Sequence, residues 1–453
     1  MKKPIGLFMI ILLIFSCTNR ISKQEFSLED LQKRTFRYFW VSADPVTNLV
    51  PDRWPTPSFS SIAAQGFGYP AWIIGIENGW VTREDVALKV KNSLKFLYNL
   101  PQGAQTSKIS GYKGFYYHFL DMKTGSRFKK VELSSIDTGL LMAGILTCMS
   151  YFDRDNSVEA EIRQLADSLY RRVEWDWMFD STQYALSMGW HPENGFIPSW
   201  WSGYNEAMIL MILAIASPTH PIPANAWQRW CSTYIWAKFQ GYEHVNFGPL
   251  FGHQYSHLFI DFKGLQDSFM LSKGIDYFEN SRRATLANRA YCISNPLGFS
   301  HYNDSIWGLT ACDGPKDTVI QSDERQIRIH SYSARGAAAN YLVDDGTIAP
   351  TAAGGSIPFA PEICIPALRA MYTLYGDKIY GMYGFKDAFN PFYKDQNNEF
   401  GWYDIDYLGI DQGPILIMIQ NYYNQLIWNI LRKNSYIREG LIKAGFKGGW
   451  LES

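Results

Sequence analysis

Helical segments of two kinds alternate along most of this sequence. Some are amphipathic: residues 27–43 start with a Ser-x-x-Asp cap, residues 82–100 place Val86, Val90 and Leu97 on one face, and others lie near 157–173, 223–239, 262–279 and 281–293. The others are apolar nearly all round: A-W-I-I-G-I, I-D-T-G-L-L-M-A-G-I-L, N-E-A-M-I-L-M-I-L-A-I-A, E-I-C-I-P-A-L-R-A-M and G-P-I-L-I-M-I. An amphipathic helix covers a core and an all-apolar helix lies inside one, so the alternation predicts an all-α toroid of two concentric layers. Short β-pieces are expected near residues 115–128.

Acidic residues stand at the starts of the all-apolar helices. They are Asp137, Glu206, Glu362 and Asp411. Any one of them could simply be a first-turn acid that the helix dipole favours, and Asp137 could complete a cap with Ser134. In a toroid, however, the inner helices run parallel and their N-termini gather at one mouth. The sequence therefore predicts several carboxylates around one cavity.

Aromatic side chains are unusually frequent and cluster beside one of these acids. Phe, Trp and Tyr make up 16% of the chain, and Trp200, Trp201 and Tyr204 lead directly into Glu206. Packing alone would explain some of these rings. Rings that stack on sugar faces, next to a carboxyl group that can be buried, are also what glycosidic chemistry requires. Carboxylates around an aromatic cavity indicate a glycoside hydrolase.

A second polar cluster is G-H-Q-Y-S-H-L-F-I-D-F. His253, His257 and Asp261 recur every four residues and would share a helix face. The H-E-x-x-H pattern of a zinc helix is absent because Gln254 replaces the Glu, so no metal is expected. His253, Gln254 and Tyr255 are interpreted as partners for sugar hydroxyl groups, and His257 as a core histidine.

The N-terminus predicts export and lipid anchoring. Lys2 and Lys3 precede the apolar run L-F-M-I-I-L-L-I-F, which is too short to span a bilayer, and I-F-S-C resembles a bacterial lipobox with Cys17 as the lipidated residue. We predict a signal peptide and lipobox over 1–17, a tether over 18–26 and one domain over 27–453. The expected location is the outer membrane, with the periplasmic side favoured and the cell surface as the alternative.

The remaining composition excludes several partners. A net charge of −1 does not favour binding to nucleic acid or to an anionic membrane surface. The expected membrane contact is therefore the lipid attached to Cys17. The other five cysteines are isolated and odd in number, which argues against a disulfide framework and a zinc cluster, although one bridge stays open. We expect a monomer.

The motifs carry a family resemblance over almost the whole chain after the lipobox. The segments S-S-I-D-T-G-L-L-M-A-G, W-S-G-Y-N-E-A-M, A-S-P-T-H-P, F-G-H-Q-Y-S-H-L-F-I-D-F, R-A-T-L-A-N-R-A-Y-C, W-G-L-T-A-C-D-G-P, P-F-A-P-E-I and G-I-D-Q-G-P resemble the glucoamylase-like domain family. Within it the chain looks like glycoside hydrolase family 144, the bacterial endo-β-1,2-glucanases. One departure is Cys312 in T-A-C-D-G-P, where Ser is expected.

The resemblance implies an (α/α)6 toroid with short β-hairpin insertions, an inverting mechanism and no cofactor. Glu206 matches the acid, Asp411 is the match for the base with Asp404 and Asp406 as alternatives, and Asp137 matches a further acidic position. The expected product from β-1,2-glucan is sophorose and short sophoro-oligosaccharides. Substrate contacts are expected from Trp200, Trp201, Asn205, His253, Gln254, Tyr255, Trp307, Asp313 and Glu362.

Three other functions stay open at this point. Another glycanase on the same toroid would keep the acid pair and change the stacking residues. A polysaccharide lyase would use Tyr255 and a histidine and would need clustered basic groups, for which Arg335 is a lone candidate. A non-catalytic glycan-binding lipoprotein would tolerate loss of Glu206.

Overall fold

The protein is described here from a computed structural model, which covers residues 25–322, 325–397 and 399–452. The predicted signal peptide, Cys17 and nearly all of the tether lie outside this part of the chain. Its helices begin with α1 Leu28–Val41, α2 Ile62–Glu77, α3 Arg83–Asn99, α4 Ser135–Tyr151, α5 Ser157–Arg171, α6 Trp175–Met178, α7 Met208–Ala216 and α8 Ala226–Cys231. They continue with α9 Tyr255–Phe259, α10 Ser268–Lys273, α11 Tyr277–Ser294, α12 Pro350–Gly354, α13 Pro361–Ile379, α14 Gly409–Asn424, α15 Leu426–Leu431 and α16 Ser435–Ala444. Two 3₁₀ turns span Leu250–His253 and Gly449–Leu451.

Twelve of these helices form two concentric rings. The inner ring consists of α2, α4, α7, α9, α12 and α14, each packed on its neighbour, and α14 closes the ring against α2. The outer ring consists of α1, α3, α5, α11, α13 and α16. All nine residues of α7 are buried, whereas α5 buries one face, as inner and outer positions require. The predicted (α/α)6 toroid is confirmed.

The inner helices pack closely enough to need glycine at one crossing. A Cβ atom added to Gly66 of α2 would lie 2.5 Å from the Leu140 carbonyl oxygen of α4. A Cβ atom added to Gly144 of α4 would lie 2.0 Å from the Gly66 carbonyl oxygen. Any larger residue would force the two backbones apart.

Short strands lie in the loops between the helices and form antiparallel pairs. The first twelve are β1 Arg53–Trp54, β2 Ser60–Ser61, β3 Gly111–Tyr112, β4 Phe115–Tyr116, β5 Phe119–Leu120, β6 Leu133–Ser134, β7 Phe179–Asp180, β8 Ala185–Leu186, β9 Gly189–His191, β10 Gly195–Phe196, β11 Trp236–Phe239 and β12 Tyr242–Val245. The others are β13 Ala311–Asp313, β14 Thr318–Ser322, β15 Arg325–Ile329, β16 Tyr332–Ala334, β17 Gly336–Ala338, β18 Tyr341–Val343, β19 Tyr380–Gly381, β20 Gly384–Phe385, β21 Phe389–Asn390, β22 Trp402–Tyr403 and β23 Tyr407–Leu408. They form two-stranded pairs, except for the three-stranded sheet β10-β9-β6. The β-pieces expected near residues 115–128 are present as β4 and β5.

Three helix predictions need correction. The helix expected over 223–239 ends with α8, and the chain then forms β11, because its aromatic residues pair across a hairpin with β12. The helix expected over 262–279 is reduced to α10. Helix α13, expected to be an inner helix, is an outer one, and the short buried α12 takes its place in the inner ring.

Buried residues form two main clusters that meet at α14. Leu416 and Met418 of this helix pack in the larger cluster, and Ile415 and Ile419 pack in the smaller one. Helix α14 is thus buried on both sides, which explains its all-apolar sequence. Among the helices described, none is long and apolar enough to cross a membrane.

Candidate active site

A cavity of about 520 Å³ lies at the mouth where the inner helices begin. Its wall includes Ser61 at the start of α2, Asp137 in the first turn of α4, Glu206 just before α7, Tyr255 at the start of α9 and Asp411 in the first turn of α14. The toroid therefore brings together three of the four acids that the sequence placed at inner-helix starts.

Glu206 lies in the turn that precedes α7. The helix begins at Met208, two residues later than the sequence predicts. Its backbone carbonyl accepts a hydrogen bond of 2.9 Å from Ser256 Oγ, which also accepts from Ile209 N–H at 3.0 Å. Its Oε2 atom is buried and has no hydrogen-bond partner. Burial, assisted by the charge of Asp137, raises the pKa of Glu206 to about 7. Glu206 can therefore hold a proton near neutral pH.

Asp137 and His118 form an ion pair beside Glu206. Their Oδ1 and Nε2 atoms are 3.6 Å apart, and His118 Nδ1 lies 2.8 Å from Glu132 Oε1. Burial disfavours a charged His118, but Asp137 and Glu132 prevail and raise its pKa to about 9. Ser134 Oγ donates to Asp137. Burial raises the pKa of Asp137, and the charge of His118 opposes that rise. The charged imidazolium keeps a negative Asp137 in the cavity.

Asp411 belongs to a second group of carboxylates. Asp387 lies beside it, and the charges of Asp313 and Asp404 act on it. Burial first, and then these neighbouring charges, raise the pKa of Asp411 to about 7. Its Oδ2 atom is buried without a hydrogen-bond partner, which leaves it available to a water molecule or a sugar hydroxyl group.

Arg53 supplies positive charge to this acidic group. Its guanidinium lies 2.6 Å from Asp313, 3.1 Å from Asp52 and 3.6 Å from Asp406. Asp52, Arg53 and Asp313 all line the cavity. This arrangement offers both donors and acceptors to the hydroxyl groups of a bound sugar.

The residues that could hold a cation lie in the same group. One carboxylate oxygen from each of Asp313, Asp387 and Asp404 falls within 4.8 Å of the others. Histidines do not add to this set: His253 Nε2 lies 3.2 Å from the Phe247 carbonyl oxygen, and His257 Nε2 lies 3.0 Å from Ser281 Oγ. The spacing of His253, His257 and Asp261 therefore reflects core packing.

Aromatic rings form the rest of the wall. Phe59 and Phe119 have ring centroids 4.1 Å apart, and Phe251 and Tyr255 have centroids 5.3 Å apart. All four line the cavity, together with Tyr332. Apolar faces beside hydrogen-bonding groups suit the two kinds of surface on a glucose ring.

Trp200 and Trp201 line a neighbouring cleft of about 630 Å³ rather than the Glu206 cavity. Trp201 is buried, and its Nε1–H donates to Ser135 Oγ at 2.9 Å, which fixes the 200–205 loop to α4. The expectation that these two rings contact the substrate beside Glu206 needs correction, because neither lines the Glu206 cavity. The apolar surfaces that share its cavity include Phe251, Leu140 and the ring of Tyr255.

Four further residues expected to bind substrate are structural. Asn205 bonds to backbone atoms of its own loop, His253 is fully buried, and Gln254 ties α9 to α12 through Ala352 O at 2.9 Å and Ser356 Oγ at 2.8 Å. Trp307 has no exposed surface and packs in the smaller core cluster. These four side chains do not line the cavity.

Glu362 and Arg335 also lie outside it. Glu362 stands on the exposed face of α13 and pairs with Arg282 at 3.0 Å, because α12, not α13, is the inner helix here. Arg335 is fully buried against Asp345 at 2.7 Å. The lone basic candidate for a lyase is thus already paired within the fold.

The sequence patterns also failed to indicate five residues in or beside the cavity wall: Asp52, Arg53, His118 and Tyr332, which line the cavity, and Asp387, which lies beside Asp411. All five lie on short strands or in loops, where no periodic pattern indicates which residues face the mouth. The five cysteines in the described part of the chain are free and buried, and Cys312 reaches the cavity wall.

Known proteins are similar to this chain in fold and in sequence. The family model Glycoamylase, described as "Putative glucoamylase", matches residues 198–435. A Bacteroides uniformis protein of that description has a crystal structure with a TM-score of 0.80 and 34% identity, over 95% of this chain and 100% of its own. The endo-β-1,2-glucanase of Chitinophaga pinensis, solved with sophorotriose and glucose, has a TM-score of 0.78 and 30% identity over 94% and 100%.

A further relative is longer than this chain. The exo-β-1,2-glucooligosaccharide sophorohydrolase (non-reducing end) of Parabacteroides distasonis is 30% identical over 463 residues. That match covers 94% of this chain but 59% of the relative. The matched fold, the matched family model and the acids gathered at the mouth agree: the chain belongs to the glucoamylase-like family and, within it, to glycoside hydrolase family 144.

Proposed function

We propose that this protein hydrolyses β-1,2-glucan with inversion at the anomeric carbon. The observation that carries the proposal is that Glu206 and Asp411, both with raised pKa values, line one cavity with aromatic walls. The names of the relatives from Chitinophaga pinensis and Parabacteroides distasonis support the β-1,2 linkage.

In the proposed mechanism Glu206 is the general acid and Asp411 the general base. Glu206 gives its proton to the leaving glycosidic oxygen, and ionised Asp411 takes a proton from the attacking water. Asp137, kept negative by His118, helps Glu206 to stay protonated before the reaction and recover its proton afterwards. Sugar hydroxyl groups would satisfy the unpartnered Oε2 of Glu206 and Oδ2 of Asp411.

The proposed mode is endo-acting, with sophorose and short sophoro-oligosaccharides as products. Exo-action is the second candidate, because the Parabacteroides distasonis relative is named as an exo-acting enzyme. Both modes require the same acid and base and differ in how the substrate chain passes through the mouth.

Incubation with linear glucans of different linkage tests the substrate. We expect products from β-1,2-glucan and none from β-1,3-, β-1,4- or β-1,6-glucan when the digests are separated by chromatography. A ladder of oligosaccharides early in the reaction indicates endo-action, and sophorose alone from the start indicates exo-action. Hydrolysis of another linkage in preference to β-1,2 would refute the proposed substrate.

The two raised pKa values predict a narrow pH profile. Above about pH 7 Glu206 loses the proton it must donate, and below about pH 7 Asp411 gains a proton and cannot act as a base. The profile of kcat/KM should be bell-shaped around neutrality and fall about tenfold per pH unit on each side. Activity that stays constant from pH 5 to pH 9 would contradict these assignments.

We also propose that the mature protein is a monomer attached to the outer membrane through Cys17. The lipobox resemblance supports this, and Cys17 lies outside the described residues. Changing Cys17 to Ser should move the protein from the membrane to the soluble fraction, since the apolar run is too short to anchor it. Membrane association of a mature Cys17→Ser protein would show that another anchor exists.

A further inference from the structure

We propose that the cleft beside Trp200 is a second binding site for the glucan chain that is cleaved at Glu206. This inference rests on the proposed function. It deepens that function by assigning a place to the part of a long substrate that the catalytic cavity does not hold.

The lining of the cleft suits a neutral sugar chain. Its volume is about 630 Å³, and its wall includes the rings of Tyr184, Trp200 and Trp230. Among the described residues of the wall, Arg229 is the only charged one. The wall also has hydrogen-bonding side chains, namely Gln183, Ser199, Ser202, Ser232 and Thr233. Rings beside hydroxyl and amide groups, with little charge, match the apolar faces and hydroxyl edges of a sugar better than they match an ion.

Trp200 presents an exposed surface to a ligand, whereas Trp201 belongs to the core. Trp201 is buried, and its bond to Ser135 holds the cleft against the start of α4, where Asp137 lines the catalytic cavity. Trp200 is half-buried, and its backbone forms a bridge to Ser187. The main chain therefore sets the position of Trp200 and leaves part of its ring exposed for a sugar to stack on.

The opposite wall of the cleft comes from α8. Arg229 of this helix is exposed, and its guanidinium carbon lies 5.8 Å from the centroid of the Tyr184 ring. The Tyr184 hydroxyl group donates to Asn225 Oδ1, which fixes this ring to the residue before α8. A guanidinium offers five N–H donors, so Arg229 can bind the hydroxyl groups of a sugar whose face lies on an aromatic ring.

A smaller hollow of about 320 Å³ lies between the cleft and the catalytic cavity. It shares Ser202 and Thr233 with the cleft, and Gly203 N–H donates to Thr233 Oγ1 at 2.6 Å at this junction. Phe247 also lines the hollow, and its ring centroid lies 5.6 Å from that of Phe251, which lines the Glu206 cavity. The three hollows therefore follow one another around the 200–206 loop, and a chain bound at Glu206 can continue to Trp200.

The test is the ratio of kcat/KM for polymeric β-1,2-glucan to kcat/KM for sophorotetraose, measured for each variant. Trp200→Ala removes a stacking ring, so its ratio should fall about tenfold below that of the wild type. Trp200→Phe keeps a ring and should hold the ratio within about twofold. If Trp200 only supported the loop that precedes Glu206, both values of kcat/KM would fall together and the ratio would not change.

Arg229→Ala tests the opposite wall without touching the loop that carries Trp200. Its ratio should fall at least about fivefold, because donors to the distal part of the chain are lost. This variant decides the matter if Trp200→Ala does not fold. Tyr423→Ala is the control: this exposed ring lies near the C-terminal end of α14, away from the mouth, and its loss should leave the ratio unchanged.

Unchanged ratios in folded Trp200→Ala and Arg229→Ala proteins would overturn the inference while the proposed function stands. A ratio that falls equally in Tyr423→Ala would also overturn it, because the effect would not depend on the cleft. If the wild type does not act on β-1,2-glucan at all, the proposed function is refuted and this inference with it. The two failures are thus distinguished by the activity of the wild type.

Discussion

Replacing Glu206 by Gln should lower kcat on β-1,2-glucan by about 10²–10⁴-fold, the usual contribution of a general acid. Gln keeps the shape of the side chain but has no proton to transfer. The cavity walls remain, so the affinity for a sophoro-oligosaccharide should change little, and the loss should fall on kcat. Glu161→Gln, a half-exposed substitution of the same kind on the outer helix α5, should keep full activity.

The same variant has an expected effect on stability. The folded protein holds a proton on Glu206 up to about pH 7, whereas a solvent-exposed Glu in the unfolded chain loses it near pH 4.5. Because the folded state binds more protons between these values, wild-type stability falls as pH rises through this window. Gln stays neutral, so Glu206→Gln should melt at a higher temperature than wild type at pH 8, and the two should converge near pH 4.5.

If Glu206 were only a favourable partner of a helix dipole, the outcomes would reverse. Its loss would then reduce stability by about 0.3–1 kcal/mol and leave activity nearly intact. An active and less stable Glu206→Gln protein would show that Glu206 is not the general acid.

Replacing Asp411 by Asn should be equally damaging. Without a carboxylate at this position the group assigned to deprotonate the attacking water is lost, so kcat should fall by about 10²–10⁴-fold. Asp404 is the comparison: it is buried, its pKa is raised to about 6 by burial, and it does not line the cavity. Asp404→Asn should therefore lose less activity than Asp411→Asn.

Steady-state kinetics of the two variants with the same substrate preparation make this comparison. A larger loss in Asp404→Asn would move the assignment of the base to Asp404. Asp406 is further from this role, since it already accepts Thr56 N–H at 2.9 Å and lies 3.6 Å from Arg53.

The helical architecture is predictable because the buried face of a helix gives the sequence a periodic pattern of apolar residues. Amphipathic α3 and α5 and the all-apolar α2, α4, α7 and α14 were recognised, and with them the acids Asp137, Glu206 and Asp411 at the mouth. Helix α12 was missed because its five residues are too few to show any period. Its apolar successor α13 was therefore assigned to the inner ring, and Glu362 was placed in the site.

The remaining site residues depend on contacts between distant segments. His118 reaches Asp137 from a loop, and Arg53 reaches Asp313 across 260 positions. The predicted position of Trp200 is wrong because residues that are close in sequence need not line the same cavity. Trp200 is close to Glu206 in sequence, but the 200–205 loop turns it toward a separate cleft.

The anomeric configuration of the first product tests the central claim most directly. Proton NMR spectra collected during rapid hydrolysis of β-1,2-glucan distinguish the two anomers before mutarotation mixes them. With Glu206 as acid and Asp411 activating water, the new reducing end should be the α-anomer at first, and the β-anomer should grow later. Initial release of the β-anomer would mean retention through a covalent intermediate and would contradict the assigned roles of both residues.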